Sequence, residues 1–226
     1  GSNDIPYEKG ALFLRHLEET FGREKFDAFL KSYFDNFAFK SILTSDFEEY
    51  LQKNLLDQNP ELAAKVPVAE WIHKPGLPAS APKATSDAFT KVEKQADSWL
   101  KRERKAESLE TEKWSHAEWM HFLRYLPAEL DSARMAELDA AFKFTSTGNQ
   151  VMLSQWLVMC VRSGYKPGMD KLEHYLGNMG RRILINPIYQ ELCKTPEGKE
   201  LARKIYEKVR PTYHPIAQAT VDGILK

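Results

Sequence analysis

The chain has 226 residues and carries 32 Lys and Arg against 32 Asp and Glu, with six His and two Cys. Balanced charge marks no basic surface for nucleic acid, the longest apolar run (around Trp156 to Val161) is too short to span a bilayer, and two cysteines do not make a disulfide framework. The length suffices for one or two domains with a sizeable core, acting on neither nucleic acid nor membrane.

Almost every segment reads as helix, and none shows sustained two-residue alternation. Gly1-Ser2 reads as the scar of a cleaved expression tag, so residues 1–4 are set aside as scar and leader. Ile5-Pro6-Tyr7-Glu8-Lys9-Gly10 is a helix start. Pro6 fits a first turn, where a missing N–H costs nothing, and Glu8 sits at the positive end of the dipole. Ala11, Leu14, Leu17 and Phe21 recur at helical spacing, and Gly22 closes the C-terminus. Phe26, Phe29, Leu30, Tyr33, Phe34 and Phe37 form a second helical stripe. Ser45-Asp46-Phe47-Glu48 has the pattern of a capping box opening a third helix, which Asn59-Pro60 breaks. Short helical pieces are expected near 61–65 and 68–72. The stretch 73–82, rich in Pro and small residues, cannot continue a helix, and residues 77–84 are expected to link two domains.

The second part opens at Thr85-Ser86-Asp87, with a long helix expected to about Arg104. The run Lys101-Arg102-Glu103-Arg104-Lys105 mixes signs and reads as a solvated helix face. Ser115-His116-Ala117-Glu118 is another capping box, and Pro127 ends the helix that it opens. Asp131 and Asn149 are caps for the next two helices, and Gly164 is a C-terminal stop. Further helices are expected at 167–179, 184–194, 196–209 and 215–225. Cys160 and Cys193 fall on apolar helical faces and read as buried thiols. Helix starts at about 15–18-residue intervals suit short antiparallel helices joined by tight loops, stacked as in an α-solenoid. The chemistry-bearing residues are sparse. The six histidines include no pair spaced i, i+4 for a shared metal: His116 and His121 are five apart and turn away from each other, and His16 with Glu19 reads as a surface pair. No metal site is expected.

Pro6-Tyr7-Glu8-Lys9-Gly10 ahead of an amphipathic helix resembles the catalytic-tyrosine segment of zinc aminopeptidases of the aminopeptidase N type (the gluzincin family M1), in the branch containing leukotriene A4 hydrolase and aminopeptidase B. Trp71 with Pro75-Gly76-Leu77-Pro78 is similar to the place where that branch leaves its catalytic domain. Gly180-Arg181 followed by Asn186-Pro187 is similar to a C-terminal segment whose arginine binds a substrate carboxylate. His214-Pro215 is similar to the entry to the last helix. The resemblance implies an all-α chain: residues 5–76 as the helical end of a thermolysin-like catalytic domain, and residues 85–226 as an armadillo- or HEAT-like α-α superhelix. It implies Tyr7 as the catalytic phenol donor and Arg181 as a substrate-binding residue in a zinc-dependent peptidase that removes N-terminal residues from peptides. The zinc would be held by the missing N-terminal part of the same chain, through His-Glu-x-x-His and a downstream glutamate. The fragment itself is expected to bind none and to be inactive, and the protein to be soluble and cytoplasmic.

Two departures bear on the chemistry. Ser2 stands where the leukotriene hydrolase has a second active-site tyrosine, and Ile183 stands where the family has a lysine beside its carboxylate arginine. The missing cation argues against hydrolysis of a fatty-acid epoxide and for peptide trimming. The alternative reading is a helical-repeat binding module without enzymatic activity.

Overall fold

A computed structural model describes residues 5–83 and 85–226; the leader at 1–4, including Ser2, and Ala84 of the expected linker lie outside the described residues. All regular structure among the described residues is helical. The chain divides into two compact units, Gly1–Thr85 and Ser86–Lys226.

The first unit contains α1 (Ile5–Phe21), α2 (Arg23–Phe37), α3 (Thr44–Leu51), α4 (Pro60–Ala63) and α5 (Val68–Ile72). Gly22, at φ 82°, makes the sharp turn that folds α2 back beside α1. Phe13, Leu17 and Phe21 from α1 meet Phe26 and Phe29 from α2, Leu51, Leu55 and Leu56 after them, and Trp71 from α5. The Trp71 ring stacks on Phe13 at 5.3 Å and on His16 at 5.7 Å, so α5 is clamped onto the middle of α1. His16 is therefore not a surface residue. It is 8% exposed, and its Nε2 donates to the Lys65 carbonyl at 3.1 Å, while Glu19 pairs with Arg15. α3 begins before Ser45, and the Asp46 carboxylate accepts from the Leu43 N–H at 2.7 Å, so the expected box at Ser45 is displaced by two residues. Glu48 instead meets His73 at 2.8 Å. α3 runs on into one π-helical turn, Gln52–Leu56, and the aromatic stripe of α2 is half solvent-facing, with Phe34 66% exposed. The proline-rich stretch is held against this unit: Pro78 is buried and Ala81 packs on its core.

The second unit contains α6 (Ala88–Leu100), α7 (His116–Tyr125), α8 (Ser132–Phe142), α9 (Gln150–Ser163), α10 (Lys166–Asn178), α11 (Arg182–Leu192), α12 (Pro196–Val209) and α13 (Pro215–Leu225). This is the expected α-α superhelix of stacked short helices. α9 is its centre, with seven buried residues between Leu153 and Cys160, and α7, α8, α10 and α11 all pack on it. The caps explain most boundaries. Ser115 and Glu118 form the reciprocal box, with the Ser115 N–H donating to Glu118 at 2.8 Å. Asp131 accepts from the Arg134 N–H at 2.8 Å, Asn149 accepts from Val151 and Met152, and Gly164 ends α9 at φ 63°.

α6 stops at Leu100, four residues short of expectation. Arg102 takes the left-handed backbone at φ 62°, its N–H bonds the Trp99 carbonyl, and the Glu103 N–H bonds the Ser98 carbonyl, each at 2.9 Å. This is a helix-ending motif built without glycine, and Lys101–Lys105 consequently forms a turn and not a helix face. Cys160 is buried, and burial pushes its thiol pKa up, whereas Cys193 is only half-buried. Glu191 on α11 is buried and paired with Arg162 of α9 at 2.8 Å and with Lys194 at 2.9 Å. Burial acts to raise its pKa; the two cations together outweigh it and hold the carboxyl below its ordinary value.

Where α10 crosses α9, Gly168 leaves no room for a side chain: an added Cβ would stand 2.2 Å from the Cys160 Sγ and 2.6 Å from its Cβ. Gly168→Ala is expected to force the two helices apart at a cost of roughly 1–3 kcal/mol, lowering the midpoint of thermal unfolding followed by circular dichroism by several degrees.

Candidate functional site

Tyr7 lies in the first turn of α1, with the backbone already helical at Ile5. Its side chain is 75% exposed and makes no hydrogen bond among the described residues. Phenols of the second unit behave differently. Tyr213 donates to the Leu176 carbonyl at 2.8 Å, Tyr189 meets Tyr213 at 3.3 Å, and Tyr165 reaches Asp139 at 3.2 Å. Burial and the Asp139 charge push Tyr165 up to about 12. These tyrosines are structural members of a core, whereas the Tyr7 phenol has no acceptor among the described residues. Lys9, on the same turn, reaches across to α5. Gly10, which completes the motif, has open space where a side chain would stand, so nothing among the described residues requires a glycine there.

Arg181 is the N-cap residue of α11, in the extended region at φ −73°, ψ 111°. Leu184 and Ile185, buried just behind it, fix the start of this helix, and Ser154 of α9 donates to the Leu184 carbonyl at 2.6 Å. Gly180 stands before it, and a side chain there would lie 3.8 Å from Tyr213. Arg181 and Arg182 are both exposed, and neither makes an ion pair or a side-chain hydrogen bond among the described residues. The first turn of α11 carries no acidic residue. Two cations at the positive end of a helix dipole, uncompensated, oppose helix stability. Together with the free N–H groups of that end they form a concentrated anion-attracting point. Ile183 is 67% exposed and adds an apolar side chain beside it. Pro187, inside the helix, has no N–H to give the Ile183 carbonyl, and the buried Asn186 Oδ1 has no partner, so this end of α11 is locally underbonded.

No group of three or more His, Cys, Asp or Glu side chains able to hold a metal occurs among the described residues. The histidines are spread over both units and engaged singly, His121 with Glu93 at 2.9 Å and His116 with Asn149 at 3.1 Å. A zinc ion has no fitting ligand set here. No helix is long and apolar enough to cross a membrane among the described residues.

Comparison with known proteins places this arrangement in a class. A model of the peptidase family M1 domain matches residues 2–71, and a model of the leukotriene A4 hydrolase C-terminal domain matches residues 114–225. The first part of the chain thus matches a peptidase M1 domain and the second part a leukotriene A4 hydrolase C-terminal domain. It belongs to peptidase family M1, in the branch of leukotriene A4 hydrolase and aminopeptidase B. Among relatives, it is 29% identical to leucine aminopeptidase 2-1 of Meyerozyma guilliermondii, over 96% of this chain and 37% of that protein. It is 28% identical to aminopeptidase B of Mus musculus, over 90% and 33%, and 25% identical to leukotriene A-4 hydrolase of Xenopus laevis, over 97% and 37%. Native yeast LTA4 hydrolase superposes with a TM-score of 0.79 at 25% identity, covering 99% of this chain and 39% of that one. The bestatin complex of the yeast enzyme gives 0.81 at 23% identity, a likeness of fold. The chain therefore spans little more than a third of the length of the relatives it matches.

Proposed function

We propose that this chain is the C-terminal portion of a zinc-dependent aminopeptidase that removes N-terminal residues from short peptides. The observation that carries this reading is the match of the peptidase M1 domain to residues 2–71, the stretch that contains the unpartnered Tyr7 phenol. Relatives named as leucine aminopeptidases and aminopeptidase B support the substrate class. The zinc site belongs to a part of the enzyme outside this chain, whose described residues include no group of side chains fit to hold a metal. This chain's share of the chemistry is a donor, a carboxylate receptor and the helical wall of a peptide cleft.

Tyr7 is the donor. Attack on a peptide carbonyl builds negative charge on its oxygen, and a phenol aimed there stabilises the transition state more than the ground state. A donor already spent on a neighbouring carbonyl could not do this, and the Tyr7 phenol, unbonded among the described residues, meets that requirement. Arg181 is the receptor. Its guanidinium is suited to bidentate capture of a peptide's terminal carboxylate, and it pairs with no acid among the described residues, which leaves it available. Ile183 supplies no second cation, so the reading favours peptides over an epoxide-bearing fatty acid.

Three outcomes are expected. The present chain alone shows no aminopeptidase turnover and retains no stoichiometric zinc after dialysis; turnover with one bound zinc contradicts the assignment. In the complete enzyme, Tyr7→Phe lowers kcat by roughly a hundredfold or more and leaves KM nearly unchanged. Arg181→Ala weakens hydrolysis of free tripeptides ten- to hundredfold, the equivalent of roughly 1.5–3 kcal/mol, and spares aminoacyl amides that lack a carboxylate. Equal loss on both substrates would make Arg181 structural.

A further inference from the structure

Lys9 is the part of the Tyr7-Glu8-Lys9-Gly10 segment for which this function has no use so far. It stands in the opening turns of α1, near the positive end of the helix dipole, where a cation is unfavourable. It does not point into water. Lys9 is half-buried, and its Nζ donates to the Glu70 carbonyl at 3.0 Å and, in a more exposed bond, to the Lys74 carbonyl at 2.5 Å, 61 and 65 residues away. Those acceptors have few other prospects. Glu70 belongs to the last turn of α5, whose final carbonyls have no helical donor, and Lys74 precedes Pro75 in the segment that leaves this helix. One ammonium thus closes the negative end of α5 and ties it to the opening of α1.

The consequence falls on Tyr7. The first buried side chain of α1 is Phe13, six residues beyond Tyr7, and the Trp71 stack holds the helix only from there on. Over residues 6–11, the side-chain hydrogen bonds that reach another element are those of Lys9. The first turn of a helix frays unless something holds it. The phenol has no hydrogen bond of its own among the described residues, so its position follows from the turn that carries it. We propose that Lys9 is a positioning residue: by bonding the Glu70 and Lys74 carbonyls it fixes the first turn of α1, and through it the aim of the Tyr7 phenol. This rests on the reading of Tyr7 as the transition-state donor.

The test compares Lys9→Met, Lys9→Arg, Tyr7→Phe and the double variant Lys9→Met/Tyr7→Phe in the complete enzyme, with hydrogen exchange on the present chain. A displacement of about 1 Å at a reacting group can cost roughly a hundredfold. Lys9→Met is therefore expected to lower kcat about ten- to hundredfold with KM nearly unchanged, and Lys9→Arg to recover part of the loss. Lys9→Met added to Tyr7→Phe should cost little more, because the donor it positions is already gone. In the present chain, Lys9→Met should speed exchange at the amides of residues 9–11, which in an α-helix donate to carbonyls of the first turn, and leave the amides of 13–21 protected. That measurement decides the matter if the enzyme variant does not fold. A silent Lys9→Met, a loss that adds fully to that of Tyr7→Phe, or unchanged exchange at 9–11 overturns the proposal. If Tyr7→Phe alone leaves kcat intact, the reading of Tyr7 fails and the role of Lys9 fails with it; if Tyr7→Phe is damaging and Lys9→Met is additive, only the role of Lys9 fails.

Discussion

The second unit depends on the burial of α9. A helix with buried side chains on most of its circumference must be covered on several sides, and α7, α8, α10 and α11 do this. Trp156 and Leu157 are fully buried, and Trp156 also donates to Thr145 at 2.9 Å, so its large ring is buried without stranding its N–H. The start of α11 inherits its position from this packing. Ser154 bonds the Leu184 carbonyl from one side, and the Glu191–Arg162 pair fastens the other end of the same helix to α9. Arg181 is thereby carried at the start of a helix tied to α9 at both ends, and its guanidinium has no partner among the described residues.

The first unit solves a smaller version of the same problem. Trp71 between Phe13 and His16 joins α5 to α1, and aromatic contacts of this kind add roughly 0.5–1.5 kcal/mol each beyond the area they bury. The cost is visible in the Trp71 indole N–H, which is buried without a partner. Both units share an electrostatic habit. Lys9 near the start of α1, and Arg181 with Arg182 at the start of α11, place cations where a helix dipole repels them. Lys9 recovers that cost through two carbonyls; the arginines do not recover it within the described residues. Local rules broken without local compensation are expected at functional positions, and this contrast supports the receptor role proposed for Arg181 and the tie proposed for Lys9.

Most helix boundaries were legible because they are written in local chemistry. Pro196 and Pro215 open helices at the expected positions, Asn149 and Gly164 bracket α9, and Ser115 with Glu118 starts α7. The misreadings arose where tertiary partners overrode a local pattern. Arg102 adopts a conformation that a reader reserves for glycine, so α6 appeared too long. Asp46 capped from within its helix, which hid the true start of α3. His16 looked like a surface residue because neither its bond to Lys65 nor the Trp71 ring over it leaves a mark at helical spacing. For the candidate site, Tyr7 and Arg181 were legible only through motif resemblance, since nothing in periodicity distinguishes a free phenol from a bonded one. Lys9 was not legible at all, because its acceptors are backbone carbonyls more than sixty residues away.

The proposal on which the rest turns is that the Tyr7 phenol is the transition-state donor. A crystal structure of the complete enzyme with a non-hydrolysable tripeptide analogue tests it most directly. The Tyr7 hydroxyl is expected within hydrogen-bond distance of the first carbonyl oxygen of the analogue. An analogue bound with the Tyr7 hydroxyl turned away from that carbonyl would contradict it.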